Sequence, residues 1–184
     1  MRATGALLNT AGAFLAGLLL LGAQPAGAGE SLNGYRSAEF GMSVEQVRAR
    51  LEGDGVTTSK VYETDDGDLV IDGRLAGEAD RETDVRYVFP GGRDQLALVL
   101  EFHPDSDHVQ AVQARLEQTH GSPWAEDLAE QWFEQLKPGM PEGVRGLVVW
   151  GGGENGRNRF IRLWIFDDYL SVEYLHLGLL DSRS

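Results

Sequence analysis

The chain has 184 residues, 16 basic and 29 acidic side chains, a formal charge of −13, and no cysteine. Residues 29–184 hold all 29 acidic residues and 15 of the 16 basic ones, so that stretch carries −14. Such a surface repels nucleic-acid phosphates and anionic lipid. The missing cysteine excludes thiol catalysis, Cys-ligated zinc, disulfides and a Cys-borne lipid anchor.

Residues 1–28 read as a removable secretory signal. Arg2 supplies the positive start, and Ala11–Ala23 is an apolar stretch containing Phe14, Leu15 and Leu18–Leu21. That stretch is too short to cross a hydrocarbon core of about 30 Å as a helix. Ala26-Gly27-Ala28 gives the small-x-small cleavage pattern, so cleavage is expected near Ala28. The expected product is periplasmic or secreted, with no membrane span. A single α+β domain over 29–184 fits a prior of about 150 residues per domain.

The first helix is predicted over Ser43–Glu52. Ser43 and Gln46 suit a capping box, and Met42 can staple onto Val47. Val44, Val47 and Leu51 form one apolar stripe, and Gly53 is expected to stop the helix. Val56–Tyr62 reads as a strand. Asp65-Asp66-Gly67-Asp68 reads as a turn and Leu69–Ile71 as a short returning strand. The polar stretch Asp72–Thr83 reads as a loop. Asp84–Phe89 and Gln95–Phe102 flank Pro90-Gly91-Gly92-Arg93-Asp94, a strong hairpin signal. Both faces of the second strand are apolar, which places it centrally.

A second helix opens at Pro104-Asp105-Ser106, with Val109, Val112 and Leu116 as its stripe and His120-Gly121 as its end. A third is expected to be capped by Ser122 with Pro123 at its first position. In that helix Trp124, Leu128, Trp132 and Leu136 step by four, and Lys137-Pro138-Gly139 ends it. Strands Val144–Trp150, Arg159–Phe166 and Tyr169–Leu177 follow. The layout is α+β: an antiparallel sheet of hairpins packed against short helices. Each half has a Val/Val/Leu helix followed by hairpin strands, which would suit two related halves. No period in residue identity accompanies that pattern.

Gly151-Gly152-Gly153-Glu154-Asn155-Gly156 matches the dinucleotide fingerprint, but a strand follows where a helix must hold the pyrophosphate. The acidic turn at Asp65, Asp66, Asp68 and Asp72 fails the calcium-loop pattern in both registers. No nucleophile elbow or zinc-protease motif occurs. The densest ligand-like group is Glu101, His103, Asp105, Asp107 and His108. Alternation puts Glu101 and His103 on one strand face, and imidazole with carboxylate could hold a divalent ion. The simpler reading is acidic capping at the start of a helix. No catalytic, cofactor or metal residue is assigned. Trp124, Trp132, Trp150 and Trp164 are expected in the core; an exposed aromatic patch for a partner is the alternative.

The run Phe40-Gly41-Met42-Ser43-Val44-Glu45-Gln46-Val47, ending at Leu51, resembles the G-M-[S/T]-x-x-[E/Q]-V helix start of small exported α+β proteins. These include the SmpA/OmlA-type assembly lipoproteins; the β-lactamase inhibitor proteins are similar in architecture. The resemblance implies a non-catalytic module that contacts another envelope protein. This chain departs from the lipoproteins in having no cysteine, and no inhibitory residue is carried over. The expected function is therefore an exported interaction or scaffold module. The alternative is a periplasmic metal- or small-molecule-binding protein using the Glu101/His103/His108 region.

Overall fold

The capping box predicted at Ser43 forms. Ser43 Oγ accepts from the Gln46 N–H at 3.2 Å, and Gln46 Oε1 accepts from the Ser43 N–H at 2.9 Å. Asp94 Oδ1 accepts the next amide, that of Val44, at 2.7 Å and ties the helix start to a distant loop. Helix α1 spans Val44–Leu51 and buries Val47 and Leu51. The left-handed residue after it is Gly55 (φ 75°), not Gly53 as the sequence suggested. The computed structural model describes residues 32–76, 82–91, 93–152 and 157–181. The signal expected over 1–28 and residues 153–156 of the glycine-rich motif lie outside them.

Two short strands precede α1, β1 (Gly34–Tyr35) and β2 (Ala38–Glu39), which the sequence reading missed. Asp54 holds their turn, accepting the Ser37 amide at 3.2 Å and hydroxyl at 2.9 Å. The main sheet contains β3 (Val56–Glu63), β4 (Leu69–Ala76), β5 (Glu82–Phe89), β6 (Leu98–His103), β7 (Val144–Gly151), β8 (Arg159–Phe166) and β9 (Leu170–His176). Every neighbouring pair is antiparallel, and the order is β3-β4-β5-β6-β9-β8-β7. The fold is α+β. Strand β6 is the fourth of seven, as its apolar faces required. The last strand of each half, β6 and β9, meets its counterpart at the centre.

Strand β4 corrects the sequence reading. It runs from Leu69 through to Ala76 instead of stopping at Ile71. Its polar residues are not loop residues, because they pair across the sheet. Asp72 faces Arg86 and Arg74 faces Asp84 on β5. Arg86 Nε donates to Asp72 Oδ1 at 2.6 Å. Gly73 serves close packing there: a Cβ on it would sit 2.6 Å from Val56 Cγ1 on β3.

After β6, Asp105 caps a short 3-10 turn, Ser106–His108, which leads into α2 (Val109–His120). Helix α3 spans Glu126–Leu136, with Ala125 and not Ser122 as its N-cap. The reason is Trp124. Its amide donates to Val149 O at 2.8 Å and its indole N–H to Gly151 O at 2.9 Å, which holds the preceding segment along β7. A single turn, α4 (Leu177–Leu180), follows β9. Among the described residues no helix is long and apolar enough to cross a membrane.

Strand alternation sends alternate side chains to two cores. On one face α1 and α2 pack over Ile71, Tyr87, Val99, Ile161, Val172 and Tyr174. On the other, Ala129 and Phe133 of α3 pack over Leu147, Val149, Phe160 and Trp164. Trp150 and Trp164 are both 1 % exposed, so they belong to the core and not to a surface patch. Trp124 and Trp132 are half-buried and meet edge to face, 4.8 Å between ring centroids.

Candidate functional site

The densest polar group in the interior is built around Glu101. Its neighbours across the sheet are Val85 on β5 and Val172 on β9, so the register places a carboxylate among apolar side chains. It is 2 % exposed. A bare carboxylate there would be costly, and three groups compensate it. Arg115 Nη2, from α2, lies 3.1 Å from each of Oε1 and Oε2. His103 Nε2, two residues along β6, lies 3.3 Å from Oε1. The Tyr174 hydroxyl donates to Oε2 across the sheet at 3.4 Å.

Arg115 reaches Glu101 because α2 buries Val112 and Leu116 against this face. Arg115 lies between them in sequence, beside the buried stripe, with its side chain 44 % exposed. The sequence brought out Glu101 and His103 through alternation. It did not reveal Arg115 or Tyr174, whose contribution depends on how α2 and β9 fall against β6. The one available signal was Arg115 flanking an apolar helical stripe.

Around the carboxylate stand tyrosines. The rings of Tyr35 and Tyr174 have centroids 4.9 Å apart, and Tyr35 meets Tyr87 edge to face at 6.3 Å. Burial, with Glu101's negative charge adding to it, pushes the Tyr35 phenol up to about 12. Burial likewise raises Tyr87 and Tyr174. These phenols stay protonated at neutral pH and cannot act as bases. Burial alone would raise the Glu101 carboxyl; the nearby His103 imidazole and the Arg115 charge outweigh it and hold the group below its ordinary value. Glu101 is therefore an ion with its charge already matched. It lacks the raised pKa that a general acid requires at neutral pH.

The rest of the sequence-level cluster goes elsewhere. His108 Nδ1 pairs with Asp105 Oδ2 at 3.1 Å on the half-buried 3-10 turn. Asp105 Oδ1 also accepts the Asp107 amide at 2.9 Å. Among the described residues no three His, Cys, Asp or Glu side chains converge as a metal site would need. The acidic turn is also structural at one point: Asp68 is buried, and its Oδ1 accepts the Gly91 amide at 2.8 Å. The element after the glycine-rich loop is strand β8, so no helix N-terminus follows the motif to hold a pyrophosphate.

One edge of the sheet is strand β3. Thr57–Val61 are all exposed. Val61, 40 % exposed, is the one large hydrophobic left exposed among the described residues. The opposite edge, β7, has taken up the Trp124 amide, whereas β3 is the terminal strand on its side. The structure thus defines an antiparallel α+β sheet with a charge-compensated Glu101 in its interior and an exposed terminal strand at β3. The chain matches no protein-family model, and comparison with curated proteins and with solved structures finds no match.

Proposed function

We propose that the chain is an exported, non-catalytic protein-interaction module of the bacterial cell envelope, and that its contact surface is the β3 edge. The observation that carries this is the run of exposed residues on a terminal strand, with Val61 at its end. An edge strand offers unpaired backbone N–H and C=O groups, and an extended partner segment can add to it as a further strand. Export rests on Arg2, the apolar stretch Ala11–Ala23 and Ala26-Gly27-Ala28. The absence of catalysis rests on chemistry: Glu101 is buried and neutralised by Arg115, and the phenols around it keep their protons.

The test is affinity capture from an envelope extract with the wild-type chain and with Val61→Glu. This substitution lies on the surface and leaves both cores untouched. The reading expects a partner retained by the wild type and lost by the variant. Identical capture by both, or none by either, contradicts it.

A further inference from the structure

Resting on that reading of the β3 edge, we infer that β3 pairs with β3 of a second copy, antiparallel, with Val61 on the two-fold axis. The register follows from which face each residue occupies. Val61 lies opposite Ile71, on the face that carries α1 and α2. Lys60 and Tyr62 lie opposite Asp72 and Val70, on the other face. A continuous sheet pairs only residues of the same face. Two-fold pairing about Val61 satisfies this: Val61 meets Val61, and Lys60 of each copy meets Tyr62 of the other. The exposed hydrophobic is then covered by its own equivalent, as a self-complementary interface requires. The Lys60 ammonium already sits 4.2 Å from its own Tyr62 ring centroid, so the cation–π contact this register repeats between copies exists within the strand.

Charge favours the same place. The chain carries −13, yet Lys60 and Glu63 are the only formal charges on β3 and they balance. One of the chain's two lysines stands here. Two acidic bodies can therefore meet along β3 without setting like charges face to face, while the remaining surface repels at longer range. The bulge between Thr58 and Lys60 limits the ladder to a few residues. A two-fold contact uses the β3 edge of both copies at once, so association through β3 closes at two. The interface is small and the dimer weak. Added salt screens the long-range repulsion, since the Debye length is about 10 Å at 0.1 M, so salt strengthens the dimer.

The chain has no cysteine, so one introduced thiol reports without interference. Full chains carrying Val61→Cys or Thr57→Cys are oxidised under identical conditions. Residues on the axis have Cα atoms within disulfide reach. Thr57, four residues away, is separated from its equivalent by about 26 Å at 3.3 Å per residue. The expected result is a disulfide dimer as the main product for Val61→Cys and at least tenfold less for Thr57→Cys. Sedimentation of the wild type should show a dimer fraction that grows with concentration and salt, and Val61→Glu should weaken it at least tenfold. Equal cross-linking of the two cysteine variants, or a wild type that stays monomeric at millimolar concentration in high salt, overturns the inference. If no dimer forms but Val61→Glu still loses an envelope partner, the second copy is excluded and the interaction reading survives. If neither association is seen, both fall.

Discussion

Arg115 Nη2 lies 3.1 Å from both carboxylate oxygens of Glu101, although one side chain is almost half exposed and the other is 2 % exposed. The asymmetry determines which substitution hurts more. Arg115→Ala leaves an anion in the core with no guanidinium beside it, and breaking a buried pair in this way costs about 3 kcal/mol. Glu101→Gln leaves a guanidinium that can turn to water, and its cost is nearer about 1 kcal/mol. Urea unfolding of both variants should place Arg115→Ala clearly below Glu101→Gln. The reverse order would mean that Arg115 carries little of Glu101's compensation.

The two phenols beside this group should behave oppositely. The Tyr87 hydroxyl is buried with no hydrogen-bond partner among the described residues, so Tyr87→Phe removes a desolvated polar group and raises stability by up to about 1 kcal/mol. The Tyr174 hydroxyl bonds Glu101, so Tyr174→Phe lowers it by about 1 kcal/mol. Thermal melting of the two variants measures both signs.

Acid should loosen the fold through Glu101. Its carboxyl titrates below the ordinary 4.5 in the folded chain. The unfolded chain therefore binds the proton more readily. The contribution is complete above about 4.5 and is lost as pH falls through the lower folded value. Unfolding followed by tryptophan fluorescence between pH 6 and pH 3 should show this fall, and Glu101→Gln should flatten it. An unchanged slope in the variant would assign acid sensitivity to other carboxylates.

Gly73 makes a separate claim about packing. Gly73→Ala drives a methyl into Val56 Cγ1 and should cost about 1–3 kcal/mol, the usual range for overpacking. Combined with Val56→Ala the added penalty should shrink, because the closest blocking methyl is gone and only the Thr57 carbonyl oxygen, 3.2 Å away, remains tight. A double-mutant cycle reads this coupling directly; additive losses would contradict the contact.

These contacts also explain what the sequence could disclose. The cap at Ser43, the stripes of α1 and α2, the hairpins and the central place of β6 depend on residues near one another in the chain. The extension of β4 was hidden because Asp72 and Arg74 look like loop residues until Arg86 and Asp84 stand opposite them. The start of α3 was misplaced because Ser122-Pro123 has cap chemistry, while the Trp124 amide is claimed by Val149, 25 positions along. The same holds for the polar interior. Alternation alone joined Glu101 to His103 at 3.3 Å. It could not supply Arg115 or Tyr174, nor separate His108, because those depend on tertiary packing. The open β3 edge was equally hidden, since strand order decides which strand is terminal.

The central claim is that β3 is where the chain meets other protein. Backbone amide exchange across Val56–Glu63 tests it most directly, measured on the dilute chain alone and after addition of envelope extract or of more of the same chain. The account predicts slowed exchange concentrated in β3, with the surface of α3 and the loop before Arg159 unchanged. Protection that falls on α3 or on that loop while β3 exchanges as before would contradict it.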